Sequence, residues 1–346
     1  CGRWRFVIGN RSDIDLGGFS PDCCAAKNFQ LHQGTAESDI MSSTGHVVPS
    51  NLGGALSPPT PRVSPIRDYF TLIKPEVTFL VLIATGIGCV MASSRLDWLL
   101  LLHTLLGTGM VAGGTATLNQ YLERTFDSRM RRTLNRPLPA GRLLPEAVLH
   151  FGVGLSVLGV LYLAFLVNYL TSWIGLTTLL TYLLIYTPLK RRTSLCTLIG
   201  AFPGAAPALI GWASVRNSLS VEAWVLYAIL FVWQFPHFLA IAWMYREDYT
   251  RAGMLMLPPG DLRGNAAFRQ ILTASLILIP VSLIPSLLGM TGSLYSISAF
   301  LLGFGFCYFA FQASQHRTGT RARHLLHASV FYLPLLYAVM MMNKLG

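Results

Sequence analysis

Apolar positions in this chain come in long unbroken runs, not in the alternating or one-faced patterns of a soluble fold. Nine stretches of about 17 to 25 residues pass without a charge, at 77–93, 98–118, 147–167, 171–187, 195–215, 223–244, 271–288, 295–312 and 325–342. At about 1.5 Å of rise per residue, a helix of that length spans the hydrocarbon layer of a bilayer. Gly and Pro are frequent inside the runs, as in GAFPGAAPALIG at 200–211. Small residues let helices approach closely, and a broken helix is tolerated where it lines a cavity. The pattern predicts an all-α polytopic membrane protein whose nine transmembrane helices occupy one domain, 67–346. No heptad and no short repeat is visible, although two long loops each follow an even-numbered span and hint at two related halves.

Residues 1–66 carry no such run. They are rich in Gly, Ser, Pro and Asp and end in SPPTPRVSP, so they read as a disordered or weakly ordered tail. Asp13, Asp15, Asp22, Glu37 and Asp39 argue against a mitochondrial presequence, which is poor in acids. A bacterial cytoplasmic membrane is therefore the expected location, with the mitochondrial inner membrane as the alternative. The six cysteines form no pair spaced for zinc or for a thioredoxin-type disulfide, and no chemistry is assigned to them.

The net charge of +11 would suit nucleic acid if the cations were scattered, but they are sorted. If the segment before the first span is cytoplasmic, 19 Lys and Arg residues fall on that side of the membrane and only Arg95, Arg216 and Lys344 on the other. That bias places the N-terminus inside. The basic charge is a topology signal, and no nucleic-acid partner is expected.

Candidate chemistry sits in the two long inner loops. In the segment 119–141, Asn119, Glu123 and Asp127 recur every fourth residue, so a helix continuing from the second span puts them on one face with a drift of roughly 40° per step. The other long loop opens with Glu247 and Asp248. Two acidic clusters surrounded by arginine suit a magnesium-bound diphosphate, because Mg²⁺ takes carboxylate and water oxygens in an octahedral shell. Arg124, Arg131, Arg132, Lys190, Arg191 and Arg246 then stand where charge grows on a departing diphosphate. A single charged residue at a helix end is more often a solvated boundary. The pair of clusters, with Asn119 lying where the apolar run should still continue, favours a site. His237, beside Pro236 in an apolar run, reads equally as a residue satisfied by a neighbouring helix or as a ligand for something inside the membrane.

With these residues in view, the chain resembles the heme O synthases, or protoheme IX farnesyltransferases, of the intramembrane UbiA-type prenyltransferase superfamily. The resemblance runs from about residue 67 to 345. It rests on the N-x-x-x-E-x-x-x-D segment with MRRTLNRPLPAGR at 130–142, on WQFPHF at 233–238, and on REDYTRAG at 246–253. It implies a UbiA-like bundle with a central cavity open to the cytoplasmic side. It also implies a first Mg²⁺ and diphosphate site at Asn119, Glu123 and Asp127 with Arg131 and Arg132 beside it. A second site follows at Glu247 and Asp248, with Arg246 as a phosphate contact and His237 on the heme side. The metal ligands would be Glu123, Asp127 and Asp248. The sequence departs from the wider pattern at Glu123, where many relatives have Asp, and at the adjacent acids Glu247 and Asp248, where a spaced pair is common. The substrates implied are farnesyl diphosphate and heme b, with a heme A synthase as a downstream partner. Two rival readings stand: a prenyltransferase of the same architecture acting on a quinone precursor or chlorophyllide, and a transporter gated by its inner loops.

Overall fold

The protein is described by a computed structural model covering residues 65–345. The tail expected over 1–66 lies outside these residues except for Pro65 and Ile66, which open a short helix, α1 (Pro65–Leu72). Among the described residues, nine helices long and apolar enough to cross a membrane follow: α2 (Pro75–Ala92), α3 (Trp98–Asp127), α4 (Pro145–Leu166), α5 (Tyr169–Leu189), α6 (Cys196–Arg216), α7 (Val221–Met244), α9 (Asn265–Leu287), α10 (Ser293–His316) and α11 (Gly319–Met342). Between the sixth and seventh of them lies the short α8 (Arg246–Arg251). The predicted runs coincide with these helices, overrunning α2, α4, α6 and α9 by one residue at one end, and α3 continues well past its run to Asp127.

Local chemistry sets the ends. Pro75 and Pro145 occupy first turns, where a missing N–H costs nothing. Asp97 accepts the backbone N–H groups of Leu99 and Leu100 to start α3, and Asn168 accepts that of Thr171 to start α5. Asn217 and Arg317 stop α6 and α10 in the left-handed region, at φ 47° and 46°. One end of the bundle has short connections, whereas the other carries the long segments after α3 and α7.

The core forms around α6, which is buried along most of its length and packs against both α2 and α7. Pro203 and Pro207 sit inside α6 without interrupting it. Its contact with α2 is backbone on backbone: a Cβ on Gly211 would run into the carbonyl oxygen of Thr85, and one on Gly88 into that of Ala208. The remaining helices close the bundle, α3 on α4, α7 on α9 and α11, and α10 between α9 and α11. Trp212, Leu226, Ile229, Trp233, Phe268 and Tyr295 fill the interior. Large apolar residues such as Phe165, Trp173, Leu301 and Phe331 face outward, as lipid demands.

Candidate functional site

The helix α3 does not stop where its apolar run does. It continues to Asp127, and the last turns present Asn119, Glu123 and Asp127 inward, 1, 8 and 1 % exposed. Each meets a polar group brought by another element. The Lys190 ammonium, just past the end of α5, donates to Glu123 Oε1 at 2.8 Å. Arg136, in the loop after α3, donates to Asp127 Oδ2 at 2.6 Å. Lys74, in the corner before α2, donates to Asn119 Oδ1 at 3.3 Å, while Asn119 Nδ2 donates to Thr187 Oγ1 at 3.2 Å. The corner holds Lys74 in the left-handed region, at φ 47°, a conformation that a non-glycine residue adopts only under local constraint.

Burial and neighbours set the charge states of the two lysines. Burial alone would push the Lys190 ammonium down, but Glu123 and the rings of Tyr186 and Tyr182 hold it well above its ordinary range. Those rings lie 4.4 and 5.9 Å from its nitrogen. Lys74 has no carboxylate within ion-pair distance among the described residues, and burial, with Arg136 repelling it, pushes its ammonium down to about 7.

The tyrosines owe their placement to a turn of π-helix over Thr181–Tyr186. Pro188 lacks an N–H and crowds the carbonyl four residues earlier, and the widened turn absorbs the mismatch by bonding the Thr187 N–H to Tyr182 O. Tyr182 and Tyr186 then meet edge to face at 4.9 Å on the side of Lys190.

The second loop touches the first. Asp248 on α8 accepts the backbone N–H of Arg132 on Oδ2 at 3.2 Å and pairs with Arg251 through Oδ1 at 3.3 Å. The Arg132 side chain lies over Tyr245 and donates to Tyr249 Oη at 3.2 Å. Beneath them, Met130 packs with Tyr249, Met254 and Met256. Glu247, one residue before Asp248, is exposed, because neighbours on a helix point about 100° apart.

The cations divide in the same way. Lys190 reaches the Glu123 carboxylate, whereas Arg132 meets Asp248 through its backbone N–H and turns its guanidinium to Tyr245 and Tyr249. Arg124 is turned onto the Tyr121 ring and carbonyl, Arg191 lies over Phe126, Arg246 lies over Trp243, and Arg131 is exposed. Arg136 is one of the arginines that follow Asp127 in the same charged segment, whereas Lys74 comes from a corner 45 residues before Asn119, whose approach to α3 no local spacing reveals. His237 faces α11, with Nδ1 2.8 Å from Ser329 Oγ. Two concavities of about 490 and 480 Å³ lie away from the carboxylates. In the first, Arg216 and Lys344 spend donors on the Ala92, Val90 and Ser93 carbonyls that end α2. The second is an apolar groove between α6, α7 and α9, with Arg269 in its lining.

Among the described residues no three His, Cys, Asp or Glu side chains stand close enough to form a complete metal cage. Mg²⁺ does not need one, since it keeps waters and takes substrate phosphate oxygens. Asp127 Oδ1 is buried without a hydrogen-bond partner, an acceptor awaiting a cation or donor, so the donor set fits.

Comparison with known proteins agrees with this architecture. The pattern of the UbiA prenyltransferase family matches residues 80–335. A protoheme IX farnesyltransferase of Solibacter usitatus is 50% identical over 291 residues, covering 81% of this chain and all of that protein. Another, from Koribacter versatilis, is 41% identical over 308 residues, covering 85% and 99%. Among solved structures, a digeranylgeranylglyceryl phosphate synthase superposes with a TM-score of 0.67 at 17% identity, covering 80% of this chain and 98% of that one. A UbiA homologue from Archaeoglobus fulgidus bound to GPP and Mg²⁺ superposes with a TM-score of 0.59 at 15% identity, covering 79% and 99%. At such identities the structural likeness speaks for the fold alone.

Proposed function

This chain belongs to the UbiA prenyltransferase family, and from that premise we propose that it is a protoheme IX farnesyltransferase, moving the farnesyl group of farnesyl diphosphate onto a vinyl group of heme b. The observation that carries the reading is the junction of the two charged loops at one end of an apolar bundle. Buried Glu123 and Asp127 stand on one side, and Asp248 meets the first loop through the Arg132 N–H on the other.

In the reaction, the bond between farnesyl C1 and the diphosphate oxygen breaks, and the diphosphate leaves with the electron pair. The vinyl π electrons of heme b attack the allylic cation, water adds to the cation so formed, and a proton is released, leaving a hydroxyethylfarnesyl side chain. Glu123, Asp127 and Asp248 would hold Mg²⁺, which when bound neutralises charge on the diphosphate oxygens. Lys190 and Arg136, paired with Glu123 and Asp127, can exchange those carboxylates for the diphosphate, and Lys74 on Asn119 and Arg132 on Tyr249 are further donors. Tyr182 and Tyr186 place ring faces beside that position, where they can steady a cation. The apolar interior keeps water from the allylic cation until the vinyl group is in place.

The protein is a multi-pass membrane protein, and the charge partition supports a charged mouth facing the cytoplasm. The proposed organisation is one membrane domain over 67–346 preceded by a separate tail. Incubating the purified protein with farnesyl diphosphate, Mg²⁺ and either heme b or 4-hydroxybenzoate tests the acceptor. Mass spectrometry should find farnesylated heme, and a prenylated product from the aromatic acid alone would remove the heme reading.

A further inference from the structure

Asp68 is a buried carboxylate on a helix too short to cross the membrane. It lies in the middle of α1, 3 % exposed, while Ile66 and Phe70, about 200° round the helix, face outward. Its partner comes from the far end of the loop after α3. Arg142 Nε donates to both carboxylate oxygens, at 3.0 and 3.1 Å, and Nη2 stands 2.9 Å from Oδ1, the fork of a charge-assisted pair. The end of α1 is fixed as well, because Gln120 on α3 donates to the Leu72 carbonyl at 2.7 Å. The short helix is thereby anchored to the bundle, and Arg142 is held to the anchor.

A pair that served only to pin α1 would stop at the carboxylate. Arg142 goes further, and Nη2 also donates to the Asn135 carbonyl at 3.1 Å. That carbonyl belongs to the peptide unit leading into Arg136, whose N–H donates to Thr133 O at 2.9 Å. Both polar ends of this peptide are taken, which fixes the direction in which the Arg136 side chain leaves the backbone. The segment between Arg136 and Arg142 is closed on itself: the Ala140 N–H donates to Arg136 O at 3.0 Å, the Arg142 N–H donates to Pro137 O at 2.9 Å, and Gly141 turns in the left-handed region at φ 67°. Leu138 in this knot packs with Leu72 of α1 and Val148. From the knot Arg136 reaches Asp127 Oδ2 at 2.6 Å, and Asp127 Oδ1 stays without a partner. Building on the diphosphate reading above, we infer that Asp68 and Arg142 are positioning residues that act through Arg136, setting its guanidinium on Asp127 where the diphosphate arrives.

Calorimetric titration of the full-length protein in nanodiscs with farnesyl diphosphate and Mg²⁺ probes the diphosphate site without an acceptor. Arg142→Gln and Asp68→Asn should each weaken that binding about tenfold and leave the affinity for heme b unchanged. In an Arg136→Gln background neither should weaken it further, because the residue they act through is gone. Losses that add in that background, an equal loss for heme b, or wild-type affinity in Arg142→Gln overturn the inference. Arg142→Lys covers the case in which Arg142→Gln does not fold. It keeps a cation for Asp68 but not the planar fork that also holds Asn135. It should melt with wild type and bind farnesyl diphosphate more weakly, and wild-type affinity there overturns the inference too. Product formation is scored separately: wild type that binds farnesyl diphosphate with this dependence on the pair but yields no farnesylated heme overturns the acceptor reading and leaves the positioning role standing.

Discussion

Asp127 gives one carboxylate oxygen to Arg136 and keeps the other buried with no partner. Asp127→Asn preserves the shape while removing the charge that would hold a cation at the leaving group. Turnover of farnesyl diphosphate should fall by about 10²-fold or more, with thermal stability near that of wild type; rates within a few-fold of normal would argue against a metal role. Lys74 poses the opposite case. Its ammonium titrates near 7 in the folded protein against 10.5 ordinarily, so between those values the unfolded chain binds more protons and stability rises with pH. In the substrate-free protein, Lys74→Met should remove that slope and raise the melting temperature at neutral pH by roughly 1–4 °C. It should also weaken diphosphate binding. A variant melting lower at pH 7.5 than wild type would contradict the burial argument. The acids were legible in the sequence because i, i+4 spacing at the end of an apolar run has one helical meaning. Their partners were not, since Lys74 lies 45 residues from Asn119 and Lys190 lies 67 from Glu123. Nor does adjacency tell which of Glu247 and Asp248 turns inward.

At the scale of elements, apolar length located every span, because a bilayer imposes one length and one satisfied backbone pattern. What length does not carry is how two helices meet or where a turn widens. The π turn at Thr181–Tyr186 is legible only in hindsight from Pro188, and the α2–α6 contact only from the glycines that the structure places face to face. Gly211→Val should force those helices apart and cost about 3 kcal/mol or more, as overpacking of a tight contact does. Gly154→Val makes the matching control, since a Cβ there meets nothing within 4 Å. Detergent-solubilised thermal unfolding compares them, and equal melting of the two variants would show that the α2–α6 approach is not limiting.

For the molecule as a whole, one asymmetry governs both insertion and chemistry. The cation-rich inner segments after α3 and α5 that should keep one face of the bundle on the cytoplasmic side also contribute Arg132, Arg136 and Lys190 to the cluster with Glu123, Asp127 and Asp248. Topology and site are therefore one prediction, because reversing the chain in the bilayer would carry the diphosphate mouth with it. Impermeant thiol labelling separates the outcomes. In a background with Cys1, Cys23 and Cys24 changed to Ser, the remaining cysteines Cys89, Cys196 and Cys307 are buried. Arg131→Cys, exposed beside the site, should then react only in inverted vesicles, and Ser218→Cys, in the short connection between α6 and α7, only in right-side-out cells. The reverse pattern would put the charged mouth outside and force the diphosphate substrate to be supplied from there, whereas labelling as expected ties substrate entry to the side on which the cations hold the protein.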